Sequence, residues 1–168
     1  CNGHVVASVS GQTIFYRWEY QLAKSLLSAS ASGGHMDGTC VSSLGNVLAV
    51  GDTLTSVSFC HLDFDSTKIK EIARAHRDRY ITALQLLDQK SAVAADIAGN
   101  LATFAMEKDA HCDYTIAAQK GSIHVGDMIN AIIRDSSGFL GASASGALYR
   151  LHVLNRVNYA ALQQLQKA

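Results

Sequence analysis

NVLAVGDTLTSVSFCHL, residues 46–62, is the stretch whose reading decides the fold. Val47, Leu48, Ala49 and Val50 form a first apolar run. Gly51, Asp52 and Thr53 supply a tight turn, in which Gly tolerates positive φ and Asp can bond its own backbone. In the second run Val57, Phe59 and His61 share one face, and Ser56, Ser58 and Cys60 share the other. The whole reads as a β-hairpin.

The same pattern recurs three times. Residues 4–10 and 13–18 flank Gly11-Gln12, residues 92–97 and 101–106 flank Ala98-Gly99-Asn100, and residues 139–144 and 147–153 flank Ser145-Gly146. With Gly11, Thr53, Gly99 and Gly146 as equivalent turn positions, the steps are 42, 46 and 47 residues. A period near ~40–45 residues built of short strands is the mark of propeller blades. The expectation is an all-β fold of about four WD-like β-propeller blades, a partial propeller.

Taken in order, residues 1–30 are the later strands of one blade, with 21–28 as its outer strand. Residues 28–38, SASASGGHMDG, form a loop. Residues 39–43, 47–51, 56–62 and 68–75 make the next blade. In the last of these, Ile69, Ile72 and Ala73 also fit helical spacing, but the blade period requires a strand there. Residues 80–87, 92–96, 101–106 and 114–119 make a third blade. Residues 123–125 and 128–133 lead into a fourth, continued by 139–144 and 148–153. The tail, NRVNYAALQQLQKA, has Leu162 and Leu165 on one face behind a capping Asn155 or Asn158, and reads as a helix leaving the propeller. The domain division is therefore 1–154 and 155–168.

Blade strands run alternately up and down. The turn after each second strand and the loop entering each first strand therefore share one face of the disc. Residues 52–55, 76–80, 98–100, 122–128 and 143–146 belong to that face, and loops on a rigid scaffold carry binding.

Composition narrows the function. The 168 residues are 48% hydrophobic and 17% charged, as in folded domains. Lysine plus arginine equals aspartate plus glutamate, 14 each, which provides no general drive toward phosphate backbones or anionic membranes. No run reaches the ~18 apolar residues of a membrane span. The chain opens at Cys1 inside a strand, without a signal-peptide pattern, and reads as a piece of a longer protein. The four cysteines show no CxxC spacing and read as reduced thiols. There is no proline, so Gly, Asn, Asp and Ser must set the turns.

The sequence offers no catalytic constellation. Cys60-His61 and His111-Cys112 are adjacent pairs whose members face opposite ways on a strand, so neither makes a zinc site. Asp52, Asp63, Asp65, Asp96 and Asp127 sit near turns and read as turn formers rather than glycosidase carboxylates. Walker, GxGxxG and GxSxG patterns are missing. Phe15, Tyr16 and Trp18 lie on one strand and read as packing between blades. No enzyme and no cofactor is implied.

The order of segments is more specific than any one of them. VVASVSGQTIFYRWE, NVLAVGDTLTSVSF, EIARAHRDRYITALQLLD, ADIAGNLATFAMEKD, HVGDMINAII, the GASASGAL turn and the NYAALQQLQ tail resemble, in that order, the C-terminal part of the damaged-DNA-binding protein 1 / cleavage and polyadenylation specificity factor A family. The resemblance implies a non-catalytic scaffold with three propellers and a C-terminal helical domain. This chain would then be the last blades of the third propeller and the start of the helical domain, with the rest of its own chain needed to close the propeller.

Three branches share these features. VGDTLTSVSF with EIARAHRDRYITALQLLD looks most like the damaged-DNA-binding branch, the adaptor of cullin-4 ubiquitin ligases, acting in DNA repair and protein ubiquitination. ADIAGNLATF has a turn more like the splicing-factor 3b branch, and the polyadenylation branch also carries a VGD block. Nucleic acid would be reached only through the complex, in the nucleus and also the cytoplasm.

In the adaptor branch a cleft between propellers takes a helical segment of substrate receptors. The resemblance places Leu54, Tyr80, Thr82, Ala83, Met128, Asn130 and Ala144 at partner-binding positions. Tyr80 stands where the branch usually has tryptophan, and Met128 where an aromatic is usual. A mixed apolar and amide surface of this kind suits a helix in a groove.

Overall fold

The structure, a computed structural model, describes residues 4–9, 12–19, 24–30, 37–63, 68–109, 115–136, 138–152 and 164; before residue 37 only the backbone is described. Among the described residues there are fourteen strands: β1 (His4–Val9), β2 (Gln12–Glu19), β3 (Lys24–Ser30), β4 (Gly38–Leu44), β5 (Val47–Asp52), β6 (Val57–Asp63), β7 (Lys68–Arg74), β8 (Ile81–Leu86), β9 (Ser91–Asp96), β10 (Asn100–Lys108), β11 (Thr115–His124), β12 (Ile129–Asp135), β13 (Gly138–Ser143) and β14 (Leu148–Leu151).

They form four successive antiparallel units, β1–β3, β4–β7, β8–β11 and β12–β14, each pairing in chain order. This is the expected run of propeller blades. The segment 68–74 is a strand, as the blade period requires, and it pairs with β6 from Lys68 to Arg74. Residue 164 apart, the helix expected over 155–168 lies outside the described residues, as do the side chains of Phe15, Tyr16 and Trp18 and residues 31–36 of the expected 28–38 loop; residues 28–30 of that loop instead belong to β3, which pairs with β2 through Ser30.

Three details differ from expectation. The expected segments 114–119 and 123–125 are joined, within the described residues, in one long strand, β11, which ends at His124, because Lys120 is passed over in its register with β10: Gly121 pairs with Thr103 and Gln119 with Phe104. The two four-stranded blades touch at their outer edges through one parallel bridge, Ile116 to Arg74. Gly51 and Asp52 end strand β5, and the turn is 53–56. Gly51 is not at positive φ; that conformation falls on Ser56, at φ 66°. Gly51 is needed for space instead. A Cβ there would lie 2.6 Å from both Cys40 Sγ and Ile81 Cγ2.

The core is a set of layers between blades, which explains why β5 is buried on both faces. Val47, Ala49, Val57 and Phe59 of the β4–β7 blade pack with Ile81, Leu84, Leu86, Ala94 and Phe104 of the next. The opposite face of the same hairpin carries Leu48, Val50 and Cys60, packed with Val41 and Ile69. Ala83, Val93, Ala95 and Leu101 then meet Ile129, Ile132 and Phe139 in the following layer. Strict alternation sends neighbouring residues of one strand into different layers. Burial pushes the Cys60 thiol up to about 12, as befits an inert core residue.

Candidate interaction face

One bond recurs in three blades and builds the face. The first residue after the second strand donates its N–H to the carbonyl of the residue just before, or leading into, the first strand. Thr53 donates to Asp37 at 3.1 Å, Ile97 to Tyr80 at 3.0 Å and Ala144 to Met128 at 2.8 Å. The two kinds of connection expected to share a face are therefore bonded to each other.

The residue before each donor organises the turn. Asp52 Oδ1 accepts from the N–H groups of Leu54 and Thr55, at 2.8 and 2.9 Å, and its Oδ2 accepts from Asp37 N–H at 3.0 Å. Burial opposes its ionisation, but these backbone donors outweigh it and hold the carboxyl below its ordinary range. Asp96 repeats the device. Its Oδ1 accepts from Ala98 and Asn100 N–H, and its Oδ2 from Arg79 Nη1 at 2.8 Å. Burial again raises its pKa, and the Asn100 and Arg79 donors lower it further than that. In the last blade Ser143 stands at this position, its Oγ accepting from Ala147 N–H. The face also runs from blade to blade: Val125 N–H donates to the Gly99 carbonyl at 2.8 Å. Gly99 has φ 77°, and a Cβ there would meet Asp127 N at 2.9 Å, so only glycine fits.

On this stitched backbone sit apolar side chains in water. Leu54 is 55% exposed and Tyr80 41%; Met128 is half-buried and Ala144 exposed. Ile97 is 52% exposed, directly beside Tyr80 through their backbone bond, and sequence reasoning missed it by counting it as the last residue of a strand. Its signal was an isoleucine inside an otherwise polar Asp-Ile-Ala-Gly-Asn turn.

The remaining positions lie elsewhere. Thr82 Oγ1 donates to the Ile129 carbonyl at 2.7 Å, across the seam between blades. Thr39 does the same one blade earlier, to Ile81 at 2.6 Å. Both sit at an irregularity in the pairing of first and second strands, between Gly38 and Cys40 and between Ile81 and Ala83. Asn130, exposed, occupies the same irregularity in β12. Ala83 is buried in the layer toward Ile129 and Ile132. His61 serves the hairpin end, its Nε2 lying 2.7 Å from the Asn46 amide nitrogen. Among the described residues no group of three histidine, cysteine or acidic side chains is placed to hold a metal.

Successive propeller blades with a bonded, apolar-studded loop face define a propeller segment of the kind that carries binding on its connections. The particular family is equally plain: the chain belongs to the CPSF A subunit region family, whose model matches residues 1–168. It is similar to DNA damage-binding protein 1b of Arabidopsis thaliana, 26% identical over 133 residues. It is also similar to DNA damage-binding protein 1 of Oryza sativa subsp. japonica, 24% identical over 135 residues, and of Solanum lycopersicum, 24% identical over 134. These matches cover 77–78% of this chain and 12% of each relative.

Proposed function

We propose that this chain is part of a non-catalytic scaffold, a cullin-4 ubiquitin-ligase adaptor of DNA repair and protein turnover. It would contribute the C-terminal blades of a third propeller and a face that receives a helical segment of substrate receptors. The nucleus, with some cytoplasmic protein, is its proposed location. The observation that carries the reading is the exposed apolar set Leu54, Tyr80 and Ile97 on turns immobilised by backbone bonds. A prearranged surface of this kind loses little entropy on binding. The names of the relatives support the DNA-damage connection. Affinity purification of the full-length protein should recover a cullin and several propeller-type receptors. Recovery of spliceosomal or polyadenylation subunits alone overturns the proposal.

A second reading, a scaffold subunit of mRNA 3′-end processing or of the splicing factor 3b complex, is favoured by the family description and by the Gly99-Asn100 turn. Tight RNA binding by the purified protein with a steep salt dependence is its signature.

A further inference from the structure

Loop 75–80 climbs from the outer strand β7 to the inner strand β8 and leaves a cavity of about 340 Å³ against β10 and β11. The floor is apolar, made by Phe104, Ile116 and neighbouring alanines. The rim carries the guanidinium groups of Arg77 and Arg79 beside the His76 ring, with Gln119 opposite. Arg79 is already committed, to Asp96 at 2.8 Å and to Gln119 Oε1 at 3.0 Å, and His76 Nε2 lies 3.6 Å from Asp109 Oδ2. Arg77 is exposed and, among the described residues, has no ion-pair or hydrogen-bond partner. Asp78, its neighbour, is exposed and does not line the cavity. The same loop ends in Tyr80, whose carbonyl accepts from Ile97 N–H, and the rim residue Arg79 pairs with Asp96, the residue before Ile97.

We propose that this cavity is an anchor for a carboxylate side chain, Asp or Glu, carried by the protein segment that lies on the Leu54–Tyr80–Ile97 surface. This rests on the interaction-face reading and adds the partner's chemistry: an apolar stripe flanked by an acidic residue. An apolar floor beneath one uncommitted guanidinium suits a single carboxylate on a peptide. A nucleic-acid strand requires a track of several free cations, and the other guanidinium of the rim, Arg79, is tied to Asp96 and Gln119. Arg77 supplies a charge-assisted bond, and Arg79, fixed by Asp96, holds the rim in place.

The test uses the full-length protein and fluorescein-labelled amphipathic peptides with leucine at helical spacing. One peptide carries flanking glutamates, a second carries glutamine at those positions, and a third carries phosphoserine; a labelled single-stranded oligonucleotide completes the set. The glutamate peptide should bind about tenfold tighter than the glutamine peptide. Arg77→Glu should abolish that preference. Leu54→Ala with Ile97→Ala should weaken both peptides and leave the ratio intact. Equal binding of the two peptides, no measurable binding of the glutamate peptide, or a preference unchanged by Arg77→Glu overturns the inference. Arg77-dependent binding of the phosphoserine peptide or the oligonucleotide in preference to the glutamate peptide overturns it in favour of that ligand. A glutamate preference that persists when no cullin is recovered leaves the anchor standing and removes only the ligase reading.

Discussion

The Thr82 hydroxyl donates to the carbonyl of Ile129 across the seam between two blades, at 2.7 Å, and lies 3.3 Å from the Ala95 carbonyl of its own blade. Thr39 makes the same pair of contacts, to Ile81 and Gly51. Replacing either hydroxyl by a methyl keeps the shape and removes the donor. Thr82→Val should cost about 1 kcal/mol. Thr39→Val should cost about the same, and the double variant the sum. Urea unfolding of the three variants checks this, and marked non-additivity would show that the two seams are coupled.

Asp52 accepts backbone donors at both carboxylate oxygens, so an amide cannot replace it cleanly: one NH₂ must face an N–H. Asp52→Asn should destabilise by about 1–3 kcal/mol at neutral pH. The native carboxyl is held below its ordinary 3.8. Its contribution is therefore complete above that value and is lost as pH falls through the lower native pKa. In the Asn variant that part of the acid-induced loss should be missing, which pH-dependent melting measures.

Ser56 holds φ 66° while fully buried, and among the described residues its hydroxyl finds no partner. The later turns place Gly99 and Gly146 at positive φ. Ser56→Gly should raise stability by up to about 1 kcal/mol by relieving left-handed backbone strain and an unsatisfied hydroxyl. Ser56→Val should lower it. A lower melting temperature for the glycine variant would falsify this account of the turn.

Gly51→Ala should be severe for a one-carbon change, since both Cys40 Sγ and Ile81 Cγ2 stand 2.6 Å from the new atom. A loss of about 1–3 kcal/mol is expected. Adding Cys40→Ala should recover part of it. Circular-dichroism melts of the single and double variants suffice.

Tyr80→Ala combined with Met128→Glu should weaken partner recovery in affinity purification with little change in melting temperature, because Tyr80 is 41% exposed and both residues act in the scaffold through their carbonyls. Ile97→Glu should behave alike. A large drop in melting temperature instead identifies these side chains as core.

Much of the fold was legible because its information is local. Alternation around Gly51, Gly99 and Gly146 marks hairpins within a dozen residues, and the recurrence of hairpins sets the blade period. That period overrode the helical spacing of Ile69, Ile72 and Ala73 correctly. What could not be read was set by residues distant in sequence. Gly51 is glycine because Cys40 and Ile81 crowd it, one in the preceding strand and one in the next blade. Ala83 faces the seam because the pairing slips at Thr82, and a slipped register changes which side chain points where without leaving a mark in the composition. The apolar face was only partly visible. Leu54 and Tyr80 stand out in sequence, but Ile97 joins them through a backbone bond to Tyr80, and an alternating run gives no hint of that bond.

The two threonine bonds described across the seams both reach forward in the chain. Thr39 waits for a carbonyl 42 residues later, and Thr82 for one 47 residues later. On a ribosome adding about 5–20 residues per second, that is roughly 2–9 s in which each newly made inner strand has its bond across the seam unmade, its hydroxyl held only by the Gly51 or Ala95 carbonyl of its own blade. The propeller is thus sealed from its N-terminal side onward, one blade closing the last. A pause or chaperone acting on this region would meet one unfinished edge at a time, always the most recent.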